Sequence, residues 1–143
     1  DKMNRLGRKA ADEAGGGKLS TDWSVPIGRL DDLLQWSIPL IWDAGATDVV
    51  RYGHIGNGHP HLNVLCPDAE SKLAVTEVLK RQLSKVVEMG GVPTSEHGIG
   101  KLKRDLVADF LPPGFVEALA GLKAHFDPHG ILATGNIVHL PSR

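Results

Sequence analysis

The chain has 143 residues with a formal net charge of −1, and 41% of its residues are hydrophobic and 23% are charged. This composition is typical of a folded globular protein and excludes a disordered segment. Acidic and basic residues are balanced and interspersed, so the charge gives no reason to expect binding to nucleic acid or to a membrane surface. The single cysteine, Cys66, excludes an internal disulfide and favours a reducing, cytoplasmic compartment. No apolar run approaches the roughly 20 residues of a transmembrane helix.

The first 45 residues predict a helix, a strand and a second helix. Residues 3–14 favour a helix that stops at a run of three glycines. Residues 19–26 alternate between apolar and polar types and predict a short strand. From residue 29 onward, leucines at helical spacing predict the next helix. Pro39 lies within it, so either the helix kinks there or a second helix begins there.

A β-hairpin is predicted next, with strands at about residues 48–55 and 59–66. Asn57-Gly58 is a strong signal for a two-residue turn, because a type I′ turn needs a positive φ at both central positions. With that loop, His54 would lie directly opposite His61. Period-two alternation would also place His59, His61 and Asn63 on one face of the second strand.

The remaining residues predict an amphipathic helix at 69–89 with Asp68 as its N-cap, an extended segment at 92–95, and helices at 101–110 and 114–126. The order strand–helix–strand–strand–helix–strand is that of an α+β, ferredoxin-like fold. Such a fold has an antiparallel sheet with helices on one face, here followed by extra C-terminal helices. The length fits one domain over residues 1–143.

The histidines of the hairpin suggest a metal site. Opposed side chains in an antiparallel pair have Cβ atoms about 5 Å apart, so His54 and His61 could share one ion. Glu96 would complete a set of two histidines and one carboxylate, which leaves positions open for substrate or water. His97 is a candidate general base, because histidine is the side chain that most often takes this role. Asn63 could contact a substrate oxygen, whereas His59 is expected to be solvated.

Four segments resemble the C-terminal domain of the FAD-linked oxidases. Gly53-His-Ile-Gly-Asn-Gly-His-Pro-His-Leu-Asn63 is similar to that family's Gly-His-x-Gly-Asp-Gly-Asn-x-His-x-Asn signature. Ser95-Glu-His-Gly-Ile-Gly-Lys-Leu-Lys103 resembles its second signature, and Asp127-Pro-His-Gly-Ile-Leu-Ala-Thr-Gly-Asn-Ile-Val138 its closing segment. Asp22-Trp-Ser-Val-Pro26 resembles its first strand. The resemblance covers nearly the whole chain, and these segments follow one another in the family's order.

The resemblance implies the substrate-binding half of a flavin-dependent D-2-hydroxyacid dehydrogenase. In it, a divalent zinc or manganese ion is held by His54, His61 and Glu96, and His97 takes the hydroxyl proton while hydride passes to FAD. The resemblance also implies a substrate-binding role for Asn63, Lys103 and one of two arginines, Arg5 or Arg8, between which the sequence does not choose. The implied partners are a small 2-hydroxy acid, an FAD-binding domain, and an electron acceptor that is a protein or a quinone. A homodimer is a further expectation.

Several positions depart from the family's pattern. Asn57 replaces an aspartate, and His59 replaces an asparagine and adds a competing ligand. Asn136 stands where a lysine near the flavin is usual, and it is taken as the cofactor-contacting position. No glycine-rich nucleotide loop is present, so the chain alone is expected to be inactive, with its FAD-binding domain absent. Two alternatives remain: a non-catalytic binding or assembly module, and a stand-alone zinc hydrolase that uses the same three ligands.

Overall fold

The computed structural model describes residue 9 and residues 11–136. The chain divides into two compact units, Asp1–Ser95 and Glu96–Arg143. Residues 9 and 11–13 are helical, in agreement with the end of the predicted first helix. Arg5 and Arg8, the candidate arginines for a substrate carboxylate, lie outside the described residues.

The first unit is built on a three-stranded antiparallel sheet. Its strands are β1 (Gly17–Ser20), β2 (Asp48–His54) and β3 (His59–Cys66). They are ordered β1-β3-β2, so β3 is central. Helix α1 (Leu30–Asp43) follows β1 and a 3₁₀ turn, and helix α2 (Ala69–Glu88) follows β3. This arrangement confirms the predicted α+β class.

The predicted fourth strand is reduced to a single antiparallel bridge. Ser24 and Val92 exchange both backbone hydrogen bonds, at 3.1 and 2.9 Å. Pro93 follows immediately, and a proline has no N–H with which to continue a ladder. The last extended segment thus pairs beyond the end of β1, on the side away from β2, as the order of a ferredoxin-like sandwich requires.

Alternation along β3 separates an apolar face from a polar face. Leu62, Val64 and Cys66 are buried on one side, while His59, His61 and Asn63 point to the other. Helix α2 contacts β1, β3 and α1. Its buried stripe recurs at helical spacing and consists of Val75, Val78, Leu79, Gln82, Leu83 and Val86. The core therefore lies between the helices and the apolar face, and the other face carries the chemistry.

Pro39 and Asp68 are two positions for which the sequence made a specific prediction about a helix. Helix α1 runs continuously from Leu30 to Asp43 with Pro39 inside it, so no second helix begins at that proline. Helix α2 begins at the predicted cap: the Asp68 carboxylate accepts the Ser71 N–H at 2.9 Å, and the Ser71 hydroxyl in turn accepts the Asp68 N–H. These reciprocal bonds form a capping box.

The second unit contains helix α3 (Lys101–Val107), a 3₁₀ turn and helix α4 (Phe115–Phe126), as the pattern predicts. A hydrogen-bonded turn follows α4 at residues 127–130. Among the residues that the structure describes, no helix combines the length and the apolar character needed to cross a bilayer.

Candidate functional site: a histidine cluster on the hairpin

The candidate site lies on the polar face of the β2–β3 hairpin. In the observed register, His54 is opposite His59, and Tyr52 is opposite His61. The prediction that His54 faces His61 is therefore wrong by two residues along β3. A shift of two preserves the side on which a strand residue points, so all three histidines still share one face.

The register differs because the loop is longer than a two-residue turn. Residues Ile55–Asn57 form a 3₁₀ turn, closed by a 2.9 Å hydrogen bond from the Gly58 N–H to the Ile55 carbonyl. Gly58 adopts a left-handed φ of 63°, and its carbonyl accepts the Val25 N–H at 3.0 Å. This tertiary contact holds the loop against residue 25, a constraint that Asn57-Gly58 alone does not reveal.

Three imidazole rings meet on this face, and we call His54, His59 and His61 the histidine cluster. The rings of His59 and His61 are 4.6 Å apart between centroids and nearly perpendicular. The ring of His54 lies 5.7 Å from each of them, stacked on His59 and edge-on to His61. His54 is exposed, whereas His59 and His61 are only 3% and 5% exposed. The cluster thus has a buried side and an open side.

His59 is buried, which contradicts its expected solvation. Its Nδ1 lies 2.7 Å from the backbone carbonyl of Trp23, and its Nε2 lies 3.8 Å from Oδ1 of Asp22. Asp22 is itself only 4% exposed. One ligand atom each from Asp22, His59 and His61 lies within 4.8 Å of the other two. The structure therefore gathers an acid and two histidines that the sequence did not group.

Asn63, the predicted substrate contact, is oriented by two neighbours on the same face. Its Nδ2 donates to the Tyr52 hydroxyl at 3.0 Å, and its Oδ1 accepts from the Ser20 hydroxyl at 2.8 Å. Tyr52 also packs its ring 5.2 Å from that of His61. The amide is therefore fixed in one orientation beside the histidine cluster.

Glu96 and His97 open the second unit. The Nε2 atom of His97 lies 3.4 Å from Oε1 of Glu96, and both side chains are about half exposed, at 48% and 42%. Lys103 lies in the first turn of α3. These three residues belong to one unit and the histidine cluster to the other, so the predicted joining of Glu96 with His54 and His61 stays a prediction.

Asn136, the predicted cofactor contact, lies in the closing loop of the second unit. Its N–H donates to the Ala133 carbonyl at 3.0 Å, and Arg104 donates to the adjacent Gly135 carbonyl at 2.5 Å. Upstream, the Asp127 carboxylate accepts the N–H groups of Ile131 and Leu132 and a short hydrogen bond from Lys123. The bond from Lys123 is the main reason that the pKa of Asp127 falls to about 2.

Asp22 is the residue of this site that the sequence analysis missed. In the sequence, Asp22 is distinguished only as the first residue of the segment that resembles the family's first strand. No local spacing relates it to His59, because the two are 37 positions apart and meet only when the chain beyond β1 crosses the end of the hairpin. What distinguishes Asp22 is the burial of its carboxylate, and burial is not visible in a single sequence.

Residues 2–137 match the family described as FAD linked oxidases, C-terminal domain. The chain belongs to this family. The family match agrees with the motifs that surround the histidine cluster and the second unit's glutamate–histidine pair.

Curated relatives show the same relationship. The chain is 34% identical over 121 residues to the D-2-hydroxyglutarate dehydrogenase of Stutzerimonas stutzeri (strain A1501). The aligned region covers 81% of this chain and 26% of that protein. The chain is 34% identical over 123 residues to the probable mitochondrial D-lactate dehydrogenase of Danio rerio, covering 85% and 24%. It is 37% identical over 113 residues to the mitochondrial D-2-hydroxyglutarate dehydrogenase of Rattus norvegicus, covering 78% and 20%. The chain spans about a quarter of the length of these relatives.

Proposed function

We propose that this chain supplies the substrate- and metal-binding part of a flavin-dependent oxidoreductase that converts a D-2-hydroxy acid to the 2-keto acid. The observation that carries the proposal is the placement of His54 and His61 on one hairpin face, with rings 5.7 Å apart and edge-on. The chain belongs to the FAD-linked oxidase family, and its relatives are named for the oxidation of D-lactate and D-2-hydroxyglutarate.

The donor chemistry of the hairpin suits a divalent metal. Neutral imidazole nitrogens are good ligands for zinc, and imidazole combined with carboxylate also suits manganese or iron. We propose His54 and His61 as two ligands, because one is open to solvent and the other is held by its neighbours. Glu96 is proposed as the third ligand on the strength of the second sequence signature alone.

A divalent ion held by His54, His61 and Glu96 would polarise the substrate hydroxyl, and FAD held by a separate domain would accept the hydride. His97 accepts the hydroxyl proton at a ring nitrogen. The alcohol thereby loses one proton and one hydride and becomes a ketone. Asn63, oriented by Tyr52, donates a hydrogen bond to a substrate oxygen. Lys103 and either Arg5 or Arg8 supply the positive charge for the substrate carboxylate.

The remaining partners are proposed on the same basis. FAD comes mainly from a domain outside this chain, with Asn136 as the cofactor-contacting position on this side. The electron acceptor is a protein or a quinone, and the assembly is a homodimer. A cytoplasmic location is proposed from the single cysteine. By itself, this chain is expected to oxidise no 2-hydroxy acid.

A chimera tests the function. The matching quarter of the Stutzerimonas D-2-hydroxyglutarate dehydrogenase is replaced by this chain, and the loading of the chimera with FAD is checked by its absorbance. We expect an artificial electron acceptor to be reduced with D-lactate or D-2-hydroxyglutarate and not with the L-enantiomers. Removal of a general base costs typically 10²–10⁴-fold in rate, so His97→Asn should lower kcat by about that factor.

The matched control is His129→Asn, the same change at an exposed turn position, which should leave kcat within twofold. A chimera that binds FAD and metal but shows no stereoselective turnover contradicts the proposal and favours a binding or assembly module. Zinc-dependent cleavage of an ester or amide by the 143-residue chain without flavin would instead identify a hydrolase.

A further inference from the structure

We infer that Asp22, His59 and His61 form an inner site for a divalent transition-metal ion, distinct in its ligands from the set of His54, His61 and Glu96. The inner site lies on the buried side of the histidine cluster. It shares only His61 with the proposed catalytic set, so the ion has two alternative positions. In the chain without substrate or flavin, the ion occupies the inner position.

The tautomer of His59 is fixed by the backbone. A carbonyl oxygen can only accept, so the 2.7 Å contact with Trp23 requires a proton on Nδ1. In the neutral ring, the lone pair is then on Nε2, the nitrogen that faces Asp22. A metal-binding histidine usually binds the ion through one ring nitrogen, while its other ring N–H donates to an acceptor such as a backbone carbonyl.

Asp22 is oriented from the opposite side. Its Oδ2 atom accepts the Thr94 hydroxyl at 2.8 Å and the Ser95 N–H at 3.4 Å. Its Oδ1 atom is the one that faces His59. The extended segment at residues 92–95 thus holds the carboxylate so that one oxygen is directed at the histidines, as outer hydrogen bonds do for carboxylate ligands of metals.

The distances suit a shared ion. Two ligands that are each about 2.1 Å from a zinc ion lie about 3.4 Å apart at the tetrahedral angle. The separation between His59 Nε2 and Asp22 Oδ1 is 3.8 Å, and the ligand atoms of all three residues lie within 4.8 Å of one another. Shifts of a few tenths of an ångström would bring the first pair to the zinc-binding distance.

A set of two histidines and one carboxylate selects zinc, manganese, iron or cobalt over calcium and magnesium, which prefer oxygen ligands. It leaves at least one coordination position open. The three side chains are 3–5% exposed, so an ion here is desolvated and strongly attracted to the single negative charge of Asp22. His59 is the residue that creates the site, since the FAD-linked oxidase signature that the hairpin resembles has asparagine there.

The test measures zinc affinity of the 143-residue chain by competition with a chromophoric chelator. His59→Asn removes the Nε2 ligand but retains an N–H donor for the Trp23 carbonyl. We expect zinc affinity to fall at least about tenfold in His59→Asn and in Asp22→Asn, since losing even an outer hydrogen-bond partner of a ligand costs 10–100-fold. His54→Asn and Glu96→Gln should change the affinity less than threefold, as should the surface control His129→Asn.

Folding of each variant is checked by circular dichroism without metal. If Asp22→Asn unfolds, the decision rests on His59→Asn together with the zinc-dependent rise in Tm, which the wild type should show and His59→Asn should lack. The inference is overturned if the wild type binds no zinc, or if zinc is lost in His54→Asn and Glu96→Gln but retained in His59→Asn. The second result would leave the proposed function intact, because that function needs His54 and Glu96 and not Asp22 or His59.

Discussion

The indole N–H of Trp23 donates to Oε1 of Gln82 over 2.8 Å, and both side chains are fully buried. The same Gln82 side chain makes a second hydrogen bond, in which its Nε2 donates to the hydroxyl of buried Ser37 at 2.9 Å. A glutamine in the middle of the apolar stripe of α2 thereby links this helix to α1 and to the segment that follows β1. It also fixes the position of residue 23, whose carbonyl holds His59.

Replacing Gln82 with leucine should destabilise the protein despite the gain in apolar character. The Trp23 N–H would be left buried without its acceptor, and an unsatisfied buried group costs about 1–3 kcal/mol. The free energy of unfolding from urea titration should fall by that amount. The control is Gln35→Leu on the exposed face of α1, which should stay within about 0.5 kcal/mol. Equal stability of the two variants would mean that the Gln82 hydrogen bonds contribute little.

Gly58 should not tolerate a side chain. A Cβ there would lie 1.8 Å from the carbonyl oxygen of Val25, and the residue has a left-handed φ of 63°. The left-handed conformation alone costs an alanine about 1–2 kcal/mol, and the collision adds to this. We expect Gly58→Ala to lower both the stability and the zinc affinity, since the loop sets the register of the histidines.

Gly56→Ala is the matched control for Gly58→Ala. It lies two residues away in the same loop, and its Cβ would meet no atom within 4 Å. Thermal unfolding should show a small change in Tm for Gly56→Ala and a large decrease for Gly58→Ala. Comparable Tm values would show that the loop relaxes freely and does not fix the hairpin.

Tyr52→Phe should weaken substrate binding in the active chimera without affecting the metal. The change removes the hydroxyl that accepts from Asn63, a hydrogen bond worth about 0.5–1.5 kcal/mol. KM for the 2-hydroxy acid should rise about twofold to tenfold, with kcat nearly unchanged. An unaltered KM would indicate that Asn63 does not contact the substrate.

The stability of the turn after α4 should depend on pH in the acidic range, because the Asp127 carboxylate holds this turn. Its pKa in the folded chain is about 2, below the ordinary value of 3.8, so its contribution to stability is complete above 3.8 and is lost as the pH falls toward 2. Amide exchange at Ile131 and Leu132, read by NMR, should accelerate over this range. Asp127→Asn should remove the pH dependence, and Asp109→Asn at an exposed position should preserve it.

Cys66 should be almost unreactive in the folded protein. Its side chain is fully buried in the central strand, and desolvation by burial raises the pKa of the thiol. Alkylation by iodoacetamide at pH 8 should therefore be slow in buffer and become fast in urea. Rapid labelling under native conditions would show that the C-terminal end of β3 opens readily.

The strands and helices could be predicted from the sequence because they depend on short-range patterns. The stripe of α2, the cap at Asp68 and the alternation along β3 each lie within one element, where side-chain spacing and backbone geometry are directly coupled. The prediction that the histidines share one face of the hairpin is also correct, although the predicted turn is not. A strand has a period of two, and the actual register differs from the predicted one by an even number of residues.

The sequence by itself determined the α+β class, the hairpin, the family and the polar face that carries His54, His61 and Asn63. Only the tertiary structure decided that His59 is buried and that Asp22 lies beside it. Burial and contacts between distant segments depend on how the whole first unit packs. The hydrogen bond between Val25 and Gly58 joins residues that are 33 positions apart. The hydrogen bond between Asp22 and Thr94 joins residues that are 72 positions apart. No local sequence pattern records such pairs.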